Sequence, residues 1–225
     1  ITTKRQKRGY MKKIMLCASA AIVLLFQHSV LAHVTVPATI QAEDYNTGGQ
    51  GVGYYDTTAG NAGTNPEYRS DDVDLKNLDA GGVAVFQPAS GEWLAYDIYV
   101  PADGGYDIVA SVAAVRTGRR IFFSVDGVDV TGSIVFGDTG GSQVFVDVRK
   151  SVNLTAGEHV LKVNMCIDNF MLDYIKLEHN DPPEVDAGSD QNITLPARTV
   201  NLDATVSDDG YPNPPGALTI EWTQV

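Results

Sequence analysis

The stretch between residues 40 and 80 carries the side chains best suited to binding chemistry. Its long loop is rich in glycine, asparagine and threonine. The aromatic side chains of the loop are Tyr54, Tyr55 and Tyr68. Long loops inside compact domains are usually functional, and aromatic faces on such a loop suit flat, hydroxylated ligands such as sugars. The alternative interpretation is a solvated surface loop whose tyrosines cover the edge of the core.

Oxygen-bearing side chains flank this loop on both sides. Gln41 and Glu43 precede it, one residue apart in a short alternating segment that we interpret as a strand, so both should project from the same face. An acidic run follows, made of Asp71, Asp72 and Asp74. Nothing pairs this run with a second acidic group at a separation suited to catalysis. We therefore expect it to be solvated or to cap a loop.

The first 32 residues indicate export. Residues 11–32 contain two lysines, then an apolar core, then a small-residue cleavage site ending at Ala32, which are the parts of a secretory signal. The apolar run is too short for a membrane span. We expect residues 1–10 to be an untranslated upstream extension and the mature chain to begin near His33. The protein should be secreted, with no membrane attachment after cleavage.

Composition excludes several classes of partner and site. Of the 16 Lys and Arg, six precede residue 33, leaving 10 basic against 28 acidic residues and a net charge of −18. Such a surface repels phosphate backbones, so nucleic acid is excluded, whereas a neutral polysaccharide or Ca²⁺ is compatible with it. Cys166 is the single cysteine after residue 33, so neither an intramolecular disulfide nor a CxxC zinc site can form. Stability must come from a sizeable core.

Hydrophobic alternation after residue 33 predicts strands. In 92–100, 105–115 and 120–127, apolar residues recur at every second position, and turns rich in Gly and Asp separate the runs. Similar runs occupy 143–149, 159–165 and 170–177. Many short strands with Gly-rich turns are typical of a β-sandwich, which we predict for residues 34–179.

The end of the chain reads as a second, incomplete unit. Residues 180–186 contain Pro182-Pro183 and several charges, so we interpret them as a linker. Strand alternation resumes at Ile193, Val200 and Leu202 and stops in mid-pattern at Val225. We expect the chain to be a fragment of a longer protein.

Seven segments occur in an order that resembles a known family. They read IQAEDY, GVGYYDTTAGN, YRSDDVDL, GEWLAYDIYVP, DGVDVTGSI, LTAGEHVLKV and NFMLDYIKLE. Together they resemble a family 6 carbohydrate-binding module over residues 33–179. Residues 187–225 resemble the first half of a polycystic-kidney-disease-type (PKD-like) immunoglobulin-like domain. The resemblance implies an all-β jelly-roll sandwich that binds β-glycans and is attached to a secreted glycoside hydrolase.

The resemblance also implies a structural calcium ion. Gln41, Glu43 and Asp173 match the positions where the family supplies side-chain oxygens. Calcium takes six to eight oxygen ligands, so backbone carbonyls and water must complete the site. We expect those carbonyls around residues 59–62 and a role in fixing the long loop.

In this family the sugar site lies among loops at one end of the sandwich, where two aromatic rings clasp a sugar above an asparagine. Tyr68 matches the first aromatic residue and Asn169 the asparagine, but Ser142 stands where the second aromatic residue is usual. Tyr54 or Phe136 could supply the missing wall. Alternatively, the ligand binds on a sheet face, or the module has lost binding and acts as a spacer.

Three classes of function follow. The first is non-catalytic binding of a β-linked polysaccharide (agarose, β-1,3-glucan or xylan) by a monomeric module that targets a secreted enzyme. The second is a structural or adhesive extracellular protein. An enzyme within these residues is the third and least favoured, because there is no HExxH, no phosphate loop and no Ser/His/Asp grouping. We interpret Trp93, which lies in an alternating strand, as core packing.

Overall fold

A computed structural model describes residues 33–208, apart from 64, 66, 181, 182, 193, 195, 197, 198 and 202. In this part of the chain the strands are β1 (Val34–Thr35), β2 (Ala38–Gln41), β3 (Tyr54–Tyr55), β4 (Leu75–Asn77), β5 (Val83–Phe86), β6 (Trp93–Val100), β7 (Gly104–Ala113), β8 (Arg119–Val125), β9 (Val128–Asp129), β10 (Ile134–Phe136), β11 (Val146–Leu154), β12 (Gly157–Met165), β13 (Met171–Asn180), β14 (Glu184–Asp186) and β15 (Thr205–Ser207). The described part contains one short 3₁₀ helix, η1 (Ala42–Asp44).

Two sheets face each other and form the predicted sandwich. The first sheet has the order β1-β6-β12-β8-β10, with β3 also paired to β6 and β9 to β8. The second has the order β11-β7-β13-β5-β4, with β2 paired to β13. Neighbouring strands therefore come from distant parts of the sequence, as β12 between β6 and β8 illustrates.

The alternation in sequence identifies the face of each strand that enters the core. On β6, Leu94, Tyr96, Ile98 and Val100 are at most 2% exposed. Alternate residues of β7 and β8 are buried in the same way: Tyr106, Ile108, Ala110, Val112, Ile121, Phe123 and Val125. Burying these side chains between two sheets supplies the main stabilisation of a domain that has no disulfide.

The long loop after η1 is fixed to the sandwich by close backbone contacts. A Cβ atom at Gly53 would lie 2.0 Å from the carbonyl oxygen of Asn46, and one at Gly63 would lie 1.8 Å from that of Leu75. Both positions therefore require glycine. The guanidinium of Arg69 stacks on the ring of Tyr45 and donates to backbone carbonyls of residues 43, 45 and 46.

The acidic run caps this loop, which is one of the two roles expected for it. Asp72 accepts a hydrogen bond from the backbone N–H of Gly60, and Asp74 accepts one from that of Ala62. Asp71 accepts the hydroxyl of Tyr45. Each carboxylate therefore satisfies a donor of the loop or its anchor.

The segment after the sandwich differs in part from the prediction. β14, within the predicted linker, pairs antiparallel with β15, so the segment free of strands ends before Glu184. Strand residues expected at Ile193 and Leu202, the signal segment and residues 209–225 lie outside the described residues. Among those described, no helix is long and apolar enough to cross a membrane.

Candidate functional site

An open pocket lies where β5 and β7 end and β13 begins. We call it the end pocket; its volume is about 230 Å³. The half-buried ring of Phe86 forms one wall, and Gln87, Arg116, Ser142 and Asn169 also line it. The pocket therefore combines the half-buried Phe86 ring with side chains that can donate and accept hydrogen bonds.

The backbone at the end pocket is held in an uncommon conformation. Gln87 and Asn169 both have positive φ angles, 48° and 63°. The N–H of Gln87 donates to the carbonyl oxygen of Phe170 at 3.0 Å, which joins the two segments. Left-handed residues other than glycine are uncommon and concentrate at ligand sites, where the surrounding structure stabilises them. This geometry fixes the positions from which both amide side chains leave the backbone.

The structure brings Asn169 and Ser142 together, as predicted, but places Tyr68 elsewhere. The Tyr68 hydroxyl donates to Asp44 at 2.6 Å, and this hydrogen bond is the main cause that raises the Tyr68 pKa to about 12. Tyr68 therefore lies beside η1 and does not line the end pocket. Phe86 is the aromatic wall of the pocket, and the sequence analysis missed it. Its position as the last residue of an apolar strand was the feature in the sequence that could have indicated this role.

Neither residue suggested as a second wall is accessible. Tyr54 is 4% exposed and packs edge-on against Tyr45, so it belongs to the core. Phe136 is 5% exposed and packs edge-on against Phe170. Both suggestions are wrong, because a buried ring cannot present a face to a sugar. Ser142 is exposed at the pocket and leaves its second side without an aromatic ring.

A second aromatic surface lies on the outer face of the first sheet. Tyr55, Trp93, Asn164 and Phe122 are cross-strand neighbours in one row over β3, β6, β12 and β8. The rings of Tyr55 and Trp93 are stacked, with centroids 6.4 Å apart. Trp93 is half-buried and outside the core cluster, so interpreting it as core packing was wrong. Lys162 Nζ covers its ring at 3.6 Å from the centroid.

A family model described as "Carbohydrate binding module (family 6)" matches residues 66–179, about half of the chain. The chain belongs to this family. Carbohydrate binding without catalysis is the general function of such a module, and the two-sheet sandwich is its jelly roll.

The similarity to known proteins is confined to the carbohydrate-binding module. A family 6 module from Clostridium stercorarium in complex with cellobiose is 20% identical, with a TM-score of 0.51 over 67% of this chain and 99% of that one. A module from Cellvibrio mixtus lichenase 5A in complex with cellotriose is 27% identical, with a TM-score of 0.49 over 64% and 98%. The clotting factor G alpha subunit of Tachypleus tridentatus is 31% identical over 103 residues, which span 43% of this chain and 15% of that protein.

The predicted calcium ligands of the family 6 module do not share a strand face. Gln41 ends β2 and is exposed, whereas Glu43 lies in η1 and is 4% exposed. The expectation that both project from one strand face is wrong, because the chain turns into the 3₁₀ helix directly after Gln41. The carbonyls that Arg69 binds belong to this turn and the residues after it.

Glu43 nevertheless has the properties of a cation ligand. Its Oε2 atom is buried and has no hydrogen-bond partner. Burial is the main cause that raises the Glu43 pKa to about 7, and the negative charges of Asp44 and Asp173 raise it further. A buried carboxylate without a partner is destabilising unless it is protonated or meets a cation.

Asp173 lies close enough to add to this negative charge. The register of β13 shifts between Leu172 and Ile175, so Asp173 sits in an irregular part of the strand. Burial raises the Asp173 pKa, and Asp147 raises it further. Among the described residues, no group of three His, Cys, Asp or Glu side chains is arranged to hold a metal. A cation here would also need the amide oxygen of Gln41 and backbone carbonyls.

Proposed function

We propose that the end pocket is the site at which this module binds a β-linked polysaccharide. The observation that supports the proposal is the placement of the Phe86 ring beside the Asn169 and Gln87 side chains. The apolar face of a sugar ring would pack on Phe86. Its hydroxyls would exchange hydrogen bonds with the two amides, which donate and accept at once.

Binding at a pocket with one aromatic wall should be weak. Stacking of a flat ring on an aromatic side chain contributes on the order of 1–3 kcal/mol, and Ser142 provides no second ring. We expect a dissociation constant nearer millimolar than micromolar, which corresponds to about −4 rather than −8 kcal/mol. Candidate ligands are β-1,3-glucan, xylan and agarose. Similar modules are described in complex with cellobiose, cellotriose or xylose, and another as binding β-1,3-glucan.

The outer face of the first sheet is the second candidate site. Its row of Tyr55, Trp93 and Phe122 provides a longer apolar surface than the end pocket, and Asn164 lies within the row. Lys162 would have to leave the Trp93 ring before a sugar could stack there. We rank this face second because Lys162 Nζ lies 3.6 Å from the centroid of its largest ring, closer than Lys76 Nζ lies to the Phe86 ring, at 4.9 Å.

Calcium would stabilise the module rather than contact the sugar. We propose that Glu43, Asp173 and Gln41 bind one Ca²⁺, with backbone carbonyls and water as further ligands. We still expect those carbonyls to belong to residues 59–62. The unpartnered carboxylate oxygen of Glu43 supports this assignment. The ion would neutralise the charge buried beside η1 and hold the start of the long loop against β13.

In the whole protein, the module would hold a secreted polysaccharide-degrading enzyme near its substrate. Such attachment raises the effective concentration of the enzyme without new chemistry. The alternative is an adhesive extracellular protein in which the β-domains act as spacers. The sequence of the intact gene separates the two: a hydrolase domain favours the first, and further immunoglobulin-like repeats favour the second.

Affinity electrophoresis tests the proposed site. Purified protein should be retarded in gels that contain at least one of β-1,3-glucan, xylan, mixed-linkage glucan or agarose. Phe86→Ala and Asn169→Ala should remove the retardation, and Tyr68→Ala should retain it as a control exposed tyrosine. If Trp93→Ala removes the retardation and Phe86→Ala does not, the glycan binds on the sheet face instead. No retardation on any gel would favour the spacer function.

A further inference from the structure

The end pocket carries a cation in a strongly acidic protein. Arg116 is exposed and lines the pocket, and none of the described lining residues is acidic. The described arginines Arg69, Arg119 and Arg149 form ion pairs with aspartate or glutamate. Arg116 forms neither an ion pair nor a side-chain hydrogen bond with any described residue. Its guanidinium donors are therefore available to a ligand.

Two neighbouring features make the pocket more favourable for a negative charge. Lys76 Nζ lies 4.9 Å from the centroid of the Phe86 ring, which adds a second cation at the aromatic wall. Asp168, which directly precedes Asn169, is bound by Arg119 at 3.2 Å, so its charge is compensated. The amide groups of Gln87 and Asn169 add uncharged donors on the same side.

We propose that the end pocket selects β-glycans that carry an anionic substituent and that Arg116 binds this group. The proposal rests on the end pocket being the glycan site. A guanidinium offers a planar fork of N–H donors that matches the paired oxygens of a carboxylate or a sulfate ester. The sugar ring would stack on Phe86, and its anionic group would point towards Arg116.

The acidic character of the rest of the chain does not prevent this selectivity. At physiological ionic strength the Debye length is about 8 Å, so charges on distant faces are largely screened from the pocket. Groups that line the pocket then contribute most to its preference, and Arg116 is the charged residue among the described ones that do. Added salt also screens the attraction between Arg116 and the anionic group, so the preference should decrease as the salt concentration rises.

Matched pairs of polysaccharides separate the contribution of the anionic group from that of the sugar. Glucuronoxylan against unsubstituted xylan tests the carboxylate, and sulfated agar against neutral agarose tests the sulfate ester. We expect the anionic member of at least one pair to bind about fivefold more tightly, the factor that an exposed ion pair of ~1 kcal/mol provides. The pair that responds identifies the group.

Two arginine variants complete the test. Arg116→Gln should remove the preference, measured as the ratio of the affinities for the anionic and the neutral member of each pair. Arg120→Gln removes one exposed guanidinium from β8, outside the pocket, and should leave the preference intact. Equal binding of both members of each pair would overturn the proposal, and so would a preference that Arg116→Gln retains or that both variants lose equally. Binding of neutral glycans alone overturns only this proposal, whereas no binding at all overturns the proposed function with it.

Discussion

Replacing Glu43 by Gln should stabilise the calcium-free protein at alkaline pH. The folded state holds a buried carboxylate whose Oε2 atom has no partner and whose pKa is raised to about 7. Because folding raises this pKa above 4.5, the folded state binds more protons than the unfolded state between these values. Stability must therefore decrease as the pH rises from about 4.5 to 7. Glutamine fills nearly the same volume without the charge.

The size of the effect follows from the difference in pKa. A raise from 4.5 to about 7 corresponds to about 3 kcal/mol at 1.36 kcal/mol per pKa unit. For a domain near 150 residues, 1 kcal/mol shifts the melting temperature by about 2–4 °C. At pH 8 with a chelator, Glu43→Gln should thus melt about 6–12 °C above the wild type, and at pH 4 the two should coincide.

Calcium should largely cancel this difference. Saturation at 100 times the dissociation constant adds about 2.7 kcal/mol to the wild type, and Glu43→Gln should gain much less because it lacks the ligand. Differential scanning fluorimetry at pH 4 and pH 8, with calcium and with chelator, measures all four conditions. A wild type that melts at the same temperature in calcium and chelator would remove the metal from the account. A Glu43→Gln variant less stable than the wild type in chelator at pH 8 would refute the buried-charge argument.

Three further predictions concern single residues. Gly63→Ala should lower the melting temperature by several degrees in thermal unfolding, because its Cβ would lie 1.8 Å from the Leu75 carbonyl oxygen. The hydrogen bond to Asp126 is the main cause that raises the His159 pKa, so in calcium-saturated protein stability should fall as the pH rises above about 6.5, and His159→Gln should flatten that decline in pH-dependent melts. Ser142→Trp should strengthen glycan retardation in affinity gels by supplying a second aromatic wall, and unchanged mobility would show that the ring is not what limits affinity.

Alternation in the sequence predicted the sandwich and the inward faces of its strands. The period of two is a local property, so the core positions of β6, β7 and β8 could be assigned without knowing their neighbours. The resemblance to the family supplied Asn169 and Ser142, and both line the end pocket. The caps formed by Asp72 and Asp74 also followed from local residue types.

What the sequence could not predict depends on how distant segments meet. Phe86 enters the end pocket because β5 ends beside the start of β13, a register that no local pattern specifies. Tyr68 lies outside the pocket, where its hydroxyl donates a hydrogen bond to Asp44. Glu43 is buried because the chain turns into η1 after β2. The alternating sequence of this segment predicted a continuous strand instead. Trp93 lies at the surface because it occupies one of the outward-facing positions of β6.

Chemical-shift mapping of the labelled protein is the most direct test of the central claim that the end pocket binds the glycan. During titration with a soluble oligosaccharide of the polysaccharide that retards the protein, the account predicts saturable shifts of the Gln87 and Asn169 side-chain amides. The Trp93 indole N–H and the Asn164 amide should stay unchanged. The opposite pattern, with Trp93 and Asn164 shifted and the end pocket unaffected, would contradict it.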